Sequence, residues 1–596
     1  MRKRVIFVDG SPSGLGIGHW VDFSQSSVNK FDRKGQPFPS DPVPLELFDV
    51  DPETKVRWRD QFIDWLGDLN GRNACVDWWA YTTTAKNVLT SQLGNQYFQT
   101  QGLLRSLTQG NYSTLYVNGA THAQIEVIRD WVGDRRDIGI EVVNSFRRRK
   151  FLRLQAISRL LVQAFKALVA SISPDFGVAL PKQVDVLLFT YVDAKLNDDT
   201  DRYFGSLPKL MDSKVPGTRA AYAAYISAPH REAMRQMATV RGPKYFPLFR
   251  ELQFSDFVWA LVKSLRAINI SRFHLRTASD AQFVPLLRDA LLSDLSFGGY
   301  FHNLLLYRAI PRLLAKTKPS TFVYPYENKS LEKLMLLAIR KHSPGTKIIG
   351  YQHTAITPRH TTLLFAPNEA SHTPLPDRIV TVGEITRDYL AKSGNYPEGI
   401  FETGYAIRQT WREAVPRAEL EGRPPRILLA LSSSRQELVG AVAYFIVLRA
   451  RGVRFELGIR PHINFPISIL SDEYRQWIAS NAHDFSNTAL VDDINWCDLT
   501  AYVSSTVSLE SLMVGKPIIY IASVGVLSPD PILGELAMCW RVLDVDGFIA
   551  ALAEITALPE NRYSQMALEA LAYVRKYLAP PREQCVELFM GAKSYG

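Results

Sequence analysis

The sequence predicts an α/β protein with two Rossmann-like, doubly wound lobes, a central cleft and a helical C-terminal tail. Short apolar strands alternate with amphipathic helices along most of the chain, and one polar, proline-bearing segment interrupts this alternation. With 596 residues, the chain is too long for a single hydrophobic core. We therefore predict an N-terminal α/β lobe with helical insertions over 1–411, a linker over 412–425, and a second α/β lobe with the terminal helices over 426–596.

Composition and charge narrow the class of protein. Apolar residues make up 46% and charged residues 21% of the chain, as in ordinary globular proteins. The four cysteines are scattered without a CxxC pair, which excludes a disulfide scaffold and a cysteine zinc site. No run of 18 apolar residues occurs, so we expect a cytoplasmic protein. The net charge of +10 favours an anionic partner, but no DNA- or RNA-reading motif occurs, so we expect no nucleic acid.

The first predicted strand, Arg4–Val8, leads into a loop rich in glycine and serine. Its glycines lack the GxGxxG spacing, and no helix follows promptly, so this loop is not a dinucleotide fingerprint. Asp9, Gly10 and Ser11 would line the cleft if the loop faces it, with Asp9 as a candidate base. A glycine-rich turn without a ligand is the alternative interpretation.

A basic helix is predicted over about 147–173. It opens with Arg147-Arg148-Arg149-Lys150, and large apolar residues such as Leu154, Leu161 and Phe165 follow at helical spacing. One interpretation is an amphipathic helix lying on an anionic membrane surface, which would place the protein peripherally at the inner face of the cytoplasmic membrane. The other is a domain helix with a solvated basic side.

A helix-rich stretch is expected over 219–314, and predicted strands at Thr321–Tyr324 and Lys347–Tyr351 follow it. Glu327 lies between the first of these strands and the next predicted helix, and His353 follows the second strand. Because ligands bind at the carboxyl ends of parallel strands, Glu327 is a candidate general base or cation-stabilising group, assisted by His353. Glu327 could equally be a first-turn glutamate that satisfies the dipole of the next helix.

In the second lobe, the predicted strand Phe455–Ile459 runs into Arg460-Pro461-His462. Arginine and histidine on such a loop can bind a phosphate and stabilise a departing nucleotide. A histidine with only a structural role is the alternative. A further strand is predicted at Ala489–Val491.

The strongest motif follows the predicted strand Thr500–Ser504. Hydroxyl residues Ser504, Ser505, Thr506 and Ser508 crowd the start of a helix predicted over Ser508–Val514, which Gly515-Lys516-Pro517 ends. Free N–H groups, hydroxyls and the helix dipole together make a phosphate site. Ordinary N-capping is the alternative, because serine and threonine are common caps.

Taken together, these motifs resemble bacterial two-lobed (GT-B) glycosyltransferases of surface-polysaccharide synthesis. The resemblance covers about 320–525 and rests on Tyr326-Glu327-Asn328, Gly350-Tyr351-Gln352-His353, Arg460-Pro461-His462, Val503-Ser504-Ser505-Thr506 and Gly515-Lys516-Pro517. It is greatest for enzymes that use CMP-activated sugars, namely the capsule and O-antigen Kdo transferases and the bacterial sialyltransferases. Teichoic-acid CDP-glycerol transferases share a similar serine-rich end. The His-Pro order common in the sialyltransferases is reversed here.

The resemblance implies a metal-independent transferase with no cofactor, which moves a Kdo- or sialic-acid-like sugar from a CMP-linked donor to a surface-polysaccharide or lipid-linked acceptor. Ser504, Ser505, Thr506 and Ser508 with Arg460 would bind the donor phosphate, and His462 would assist catalysis with Glu327 and His353. Two other functions stay open: a CDP-glycerol- or ribitol-type polyol-phosphate transferase, and a non-catalytic scaffold of a polysaccharide assembly complex.

Overall fold

Three parallel β-sheets form the framework of the protein in the computed structural model. The structure describes residues 3–8, 43–44, 50–109, 112–133, 138–146, 149–171, 183–192, 196, 200–226, 230–277, 280–417, 422–432, 434–463, 465–522 and 525–590. Within these ranges, no helix combines the length and the apolar character that crossing a membrane requires.

The N-terminal part of the chain forms a four-stranded sheet of its own, in the order β2-β1-β3-β4. Its strands are β1 (Lys3–Val8), β2 (Val43–Pro44), β3 (Tyr112–Thr121) and β4 (Gly139–Phe146). Its helices are α1 (Pro52–Asn73), α2 (Val76–Trp79), α3 (Gln92–Gln109), α4 (His122–Gly133) and α5 (Arg149–Ser171). The sequence did not predict that these strands form a separate sheet.

The second sheet has seven parallel strands in the order β11-β10-β9-β8-β5-β6-β7. The strands are β5 (Val186–Val192), β6 (Ala220–Ile226), β7 (Tyr245–Pro247), β8 (Thr321–Pro325), β9 (Lys347–Gln352), β10 (Arg378–Thr381) and β11 (Phe401–Thr403). The helices are α6 (Leu207–Lys214), α7 (His230–Thr239), α8 (Phe254–Ala267), α9 (Val284–Phe297), α10 (Gly299–Thr317), α11 (Ser330–His342) and α12 (Glu384–Ser393).

The third sheet has six parallel strands in the order β14-β13-β12-β15-β16-β17. The strands are β12 (Arg426–Ala430), β13 (Glu456–Arg460), β14 (His483–Asp484), β15 (Leu499–Tyr502), β16 (Ile518–Ile521) and β17 (Cys539–Val542). The helices are α13 (Arg435–Ala450), α14 (Asp472–Asn481), α15 (Leu490–Trp496), α16 (Val507–Met513), α17 (Val545–Ala557) and α18 (Glu560–Tyr577). In both large sheets the chain starts at an inner strand and winds outward in both directions, which confirms the predicted fold class.

The C-terminal segment crosses back from the third sheet to the second. After α18, the amide of Ala579 donates to the carbonyl of Val382 at 2.8 Å, and the amide of Ala406 donates to the carbonyl of Ala579 at 3.0 Å. Phe589 packs on Tyr351 with ring centroids 5.4 Å apart. The two large sheets are therefore joined both through the segment between β11 and β12 and through the end of the chain.

Of the predicted linker, 412–425, the described residue Val415 and the neighbouring Arg417 contact the second lobe. The amide of Val415 donates to the carbonyl of Val514 at 3.0 Å, and the Arg417 guanidinium donates to backbone carbonyls at the end of α17.

The stretch 219–314 is helix-rich as predicted, with α7, α8, α9 and most of α10. It also contains strands β6 and β7, which were not predicted, because the alanines of β6 are covered by neighbouring strands and helices that override their helix propensity. One predicted element is wrong. The strand predicted at Ala489–Val491 is instead the start of α15. A short apolar run of this kind fits a buried strand and a buried helix equally well.

Candidate functional site

Glu327 and His353 meet at the carboxyl ends of the neighbouring strands β8 and β9. All five residues of β8 are buried, as in a parallel strand covered on both faces. After β8 the chain turns at Asn328, which adopts a left-handed conformation (φ 56°) and donates from its side chain to the carbonyl of Thr362 at 2.6 Å. This turn presents Glu327 Oε1 to His353 Nε2 at 3.1 Å.

The surroundings of the two side chains lower the pKa of both. Burial raises the pKa of Glu327, but the hydrogen bond from His353 and the charge of Lys329 outweigh it and lower that pKa to about 2. Burial lowers the pKa of His353, and this effect outweighs the contact with Glu327, which raises that pKa. At neutral pH, Glu327 is therefore ionised and His353 neutral. Because an ionised carboxylate only accepts hydrogen bonds, the imidazole proton lies on Nε2 and the lone pair on Nδ1.

His353 Nδ1 is buried and has no hydrogen-bond partner among the residues that the structure describes. A neutral imidazole held in one tautomer by a carboxylate is the arrangement of a general base. The geometry therefore suits His353 as the base and Glu327 as the group that orients it.

Glu332, in the first turn of α11, forms a hydrogen bond with the backbone of this pair. Its Oε2 accepts the backbone N–H of Glu327 at 3.1 Å. Burial, together with the nearby charge of Glu327, raises the pKa of Glu332 to about 8. The neighbouring Lys333 is also fully buried, over the ring of Trp79 at 4.8 Å, and burial lowers its pKa to about 7.

Cationic side chains lie near the pair. The Tyr203 ring packs edge-on against His353, with centroids 4.9 Å apart. The guanidinium groups of Arg202 and Arg408 each lie 5.9 Å from the centre of the Tyr203 ring. Lys329 forms an ion pair with Glu327.

His462 belongs to the other lobe and lies close to these cations. It is half-buried at the end of β13, and burial followed by the positive charge of Arg202 lowers its pKa. Tyr203, next to Arg202, is the residue that packs on His353. Arg202 therefore lies near both His462 and the tyrosine that packs on His353.

Arg460, two residues before His462, is held by the second lobe itself. Its guanidinium forms an ion pair with Asp493 of α15 and donates to the carbonyl of Thr488 at 3.2 Å. Asp493 is buried, so this ion pair fixes the direction of the arginine.

The four predicted hydroxyl residues are not equivalent. Ser504 donates to Glu437 at 2.6 Å, and Ser508 is buried and donates to the carbonyl of Ser505 at 2.9 Å. Ser505 is half-buried and accepts a long contact of 3.4 Å from the amide of Val507. Thr506 is exposed, precedes α16, and makes no side-chain capping bond. Ser505 and Thr506 are thus the hydroxyls turned toward the outside of this turn.

Glu437 connects the hydroxyl cluster to the first lobe. It lies in the first turn of α13, and its carboxylate forms an ion pair with Arg359, from the loop that follows His353. Burial raises the pKa of Glu437, but the charge of Arg359 and the hydroxyls of Ser504 and Ser432 lower it by more than burial raises it. The carboxylate is therefore ionised. Arg359 also donates to the carbonyl of Leu527 at 3.2 Å.

The structure thus joins Glu327 to His353 and links Ser504 to the loop after His353 through Glu437 and Arg359. His462 lies near Arg202. Asp9, Gly10 and Ser11 lie outside the described residues. Sequence analysis missed Tyr203, Arg202 and Glu437, because no strand-end motif marks them. Among the described residues, no three histidine, cysteine, aspartate or glutamate side chains are grouped as ligands for a metal ion.

No protein-family model matches the chain, and no curated protein does so. Among solved structures, the glycosyltransferase SnogD from Streptomyces nogalater is 12% identical over 68% of this chain and 99% of its own, with a TM-score of 0.38. UDP-GlcNAc 2-epimerase from Neisseria meningitidis, bound to UDP-GlcNAc, is 11% identical over 68% and 98%, with a TM-score of 0.38. The wall teichoic acid polymerase TagF, soaked with CDPG, is 10% identical over 74% and 95%, with a TM-score of 0.33. At these scores, neither a family nor an activity follows for this chain.

Proposed function

We propose that the protein is a glycosyltransferase that moves a sugar from a nucleotide-activated donor in the second lobe to an acceptor in the first. The observation that carries the proposal is the Glu327–His353 hydrogen bond of 3.1 Å at the ends of two parallel strands. His462, after β13 in the other lobe, is near enough to Arg202 for that charge to lower its pKa. A base on one lobe and phosphate-binding groups on the other are what transfer between two bound substrates requires.

In the transfer step, His353 Nδ1 takes the proton of an acceptor hydroxyl, and the imidazolium that forms is stabilised by Glu327. The acceptor oxygen forms a bond to the anomeric carbon, and the bond from that carbon to the donor phosphate breaks. The nucleotide leaves with the electron pair and an added negative charge. His462 and Arg460 stabilise this charge, and Ser505 and Thr506 donate hydrogen bonds to the phosphate. Ser504 and Ser508 shape the turn through the contacts described above.

The donor we propose is CMP-linked, with a Kdo- or sialic-acid-like sugar. Such sugars carry a carboxylate, and Arg202, Arg408 and Lys329 supply positive charge beside the catalytic pair. We propose a surface-polysaccharide or lipid-linked acceptor, by the resemblance of the motifs. The same cations would suit the phosphate of a CDP-polyol, so a polyol-phosphate transferase is the second candidate.

Thermal denaturation with CMP, CDP, UDP, GDP and ADP, each with and without Mg²⁺, tests the donor proposal. A ligand at about 100 times its dissociation constant stabilises the folded state by about 2.7 kcal/mol. We expect CMP to raise the melting temperature without Mg²⁺. A preference for CDP would favour the polyol-phosphate transferase, and no response to any nucleotide would favour the scaffold.

We further propose that helices α5 and α8 rest on an anionic membrane surface. Helix α5 buries Ala156, Leu160 and Ala167 against the protein and leaves five other apolar residues exposed. The neighbouring helix α8 exposes a second apolar stripe. We call the combined surface the outer apolar face; it consists of Leu154, Leu161, Val162, Phe165, Val169, Phe254, Val258, Val262 and Leu265.

Charge complementarity favours a membrane as the occupant of this face. The 23 residues of α5 include five arginines or lysines and no acidic residue. In α8 the one acidic residue, Asp256, is buried and paired with Arg308 at 2.8 Å. Exposed apolar residues flanked by cations match the acyl boundary and the anionic headgroups of a bilayer.

Sedimentation with vesicles tests this face. We expect Phe165→Ser with Phe254→Ser to reduce binding to phosphatidylserine-containing vesicles at least fivefold. Leu568→Ser, which removes a leucine that is equally exposed at 68%, is the matched control and should leave binding unchanged. Equal binding by all three proteins would contradict the proposal.

A further inference from the structure

A cavity of about 430 Å³ lies in the N-terminal helical region and shares no residue with the site described above. It is lined by the end of α1, the first turns of α5, the segment 269–276 and the middle of α9. Its lining combines several arginines with buried apolar side chains.

Four arginines line the cavity, each from a different segment of the chain: Arg72, Arg153, Arg276 and Arg288. Arg72 is paired with Asp68 at 2.9 Å, an exposed contact within α1. Within the part of the chain that the structure describes, the other three form no ion pair or side-chain hydrogen bond, although arginines elsewhere in the protein are commonly paired with carboxylates.

Unpaired guanidinium groups around one cavity repel each other, which raises the free energy of the folded protein. A bound anion removes this repulsion. Arginine remains charged at all physiological pH values, and its planar fork matches two oxygens of a phosphate. Three to four such groups supply more positive charge than a single carboxylate would neutralise. The charge on the walls therefore fits a ligand with at least two negative charges.

The floor of the cavity limits the ligand further. Ile270, Leu275 and Leu292 line the cavity and are buried, and the half-buried Phe273 lines it too. Apolar surface next to a phosphate-binding group suits a ligand whose charged phosphate is attached to an uncharged portion.

We propose that this cavity binds a phosphate monoester or diphosphate ligand through Arg153, Arg276 and Arg288. Two sources supply this chemistry: the headgroup of a membrane lipid and a phosphorylated molecule free in solution. Arg153 lies on α5, the helix that also carries much of the outer apolar face, which makes a lipid phosphate one of the two sources to test. The cavity is independent of the donor site, and its test does not require transferase activity.

Isothermal titration of the full chain with inorganic pyrophosphate, at constant ionic strength, is the primary test. We expect binding to the unmodified protein and an affinity at least tenfold lower for the Arg276→Gln, Arg288→Gln double variant. Arg454→Gln, which removes an exposed arginine of the second lobe, is the matched control and should bind as the unmodified protein does. No pyrophosphate binding, or equal affinity in the double variant, would overturn the proposal.

Vesicles distinguish the two sources. If a lipid headgroup is the ligand, the unmodified protein should prefer vesicles containing phosphatidic acid over phosphatidylserine vesicles of equal surface charge, and the double variant should lose that preference. If pyrophosphate binds but no preference occurs, the ligand is a free phosphorylated molecule. The nucleotide-induced thermal shift should be the same in the double variant, so failure here and failure of the proposed donor site are separable.

Discussion

At the scale of single residues, we propose that His353 is the base of the Glu327–His353 pair. Sequence analysis gave Glu327 as a base or a charge-stabilising group, assisted by His353. With a pKa of about 2, however, Glu327 holds a proton too weakly to act as an efficient base near neutral pH. His353, neutral and with a free lone pair, is better suited, and Glu327 fixes its tautomer.

The pH dependence of turnover tests this assignment. Because burial lowers the pKa of His353, turnover should decline on the acid side only below the ordinary histidine range, near pH 6.5. Glu327→Gln removes a hydrogen bond and a charge that raise the pKa of His353, so the acid limb should move to lower pH while the rate falls about 10²–10⁴-fold. An acid limb that stays in place in Glu327→Gln would contradict the assignment.

Glu332 gives a prediction about stability. Its pKa is about 8 in the folded protein and about 4.5 in an ordinary glutamate, so the folded state binds the proton more tightly. Stability is therefore lost as the pH rises from about 4.5 to about 8. Glu332→Gln removes this loss and keeps an oxygen that can accept the N–H of Glu327.

We expect the melting temperature of Glu332→Gln, minus that of the unmodified protein, to become steadily more positive between pH 5 and pH 8. Lys333 titrates in both proteins and should largely cancel in this difference. A difference that does not change with pH would show that Glu332 is ionised in the folded state.

The sequence could predict site residues that directly follow strands, but not the partners that tertiary packing brings to them. Glu327 and His353 were identifiable because parallel strands place their carboxyl ends at one edge. Tyr203 and Glu437 come from distant segments and carry no local signal. The hydrogen bond from Ser504 to Glu437 could not be predicted either, because it depends on where the start of α13 lies relative to the end of β15.

At the scale of elements, periodicity predicted most strands and helices of the two large sheets. The failures have physical causes. The alanine-rich β6 is a strand because it lies between β5 and β7, and a residue's own propensity is too weak to resist that context. The sequence of α5 indicated an amphipathic helix but not that Leu154, Leu161 and Phe165 of its apolar stripe are exposed.

The close approach of α18 to α12 gives an element-scale prediction. A Cβ at Gly383, which precedes α12, would lie 2.2 Å from the carbonyl oxygen of Tyr577. Gly383→Ala must therefore displace the end of α18, at a cost of about 1–3 kcal/mol.

Thermal denaturation should show a lower melting temperature for Gly383→Ala. Gly345→Ala is the matched control, because a Cβ there meets no atom within 4 Å. Equal melting temperatures for the two variants would mean that the C-terminal crossing tolerates the added methyl group without loss.

At the scale of the whole molecule, the ion pair between Arg359 and Glu437 joins the two lobes next to the cleft. Glu437 is largely buried, so removal of Arg359 leaves an ionised carboxylate with only hydroxyl partners. Breaking such a pair from one side costs about 3–5 kcal/mol when it is fully buried, and less here because Arg359 is partly exposed.

We expect Arg359→Met to lower the melting temperature and Arg359→Met with Glu437→Gln to recover part of the loss, because the second change removes the unpaired charge. A double variant that is less stable than Arg359→Met alone would contradict this role for the ion pair.

The most direct measurement of the proposed chemistry is CMP release from CMP-activated ulosonic acids by the unmodified protein and by Glu327→Gln, with CMP affinity measured in parallel. We predict that the unmodified protein releases CMP and that Glu327→Gln binds CMP with similar affinity but releases it at least 100-fold more slowly. Release at an unchanged rate in Glu327→Gln would remove the Glu327–His353 pair from the mechanism. Failure of the unmodified protein to bind CMP would contradict the proposed donor.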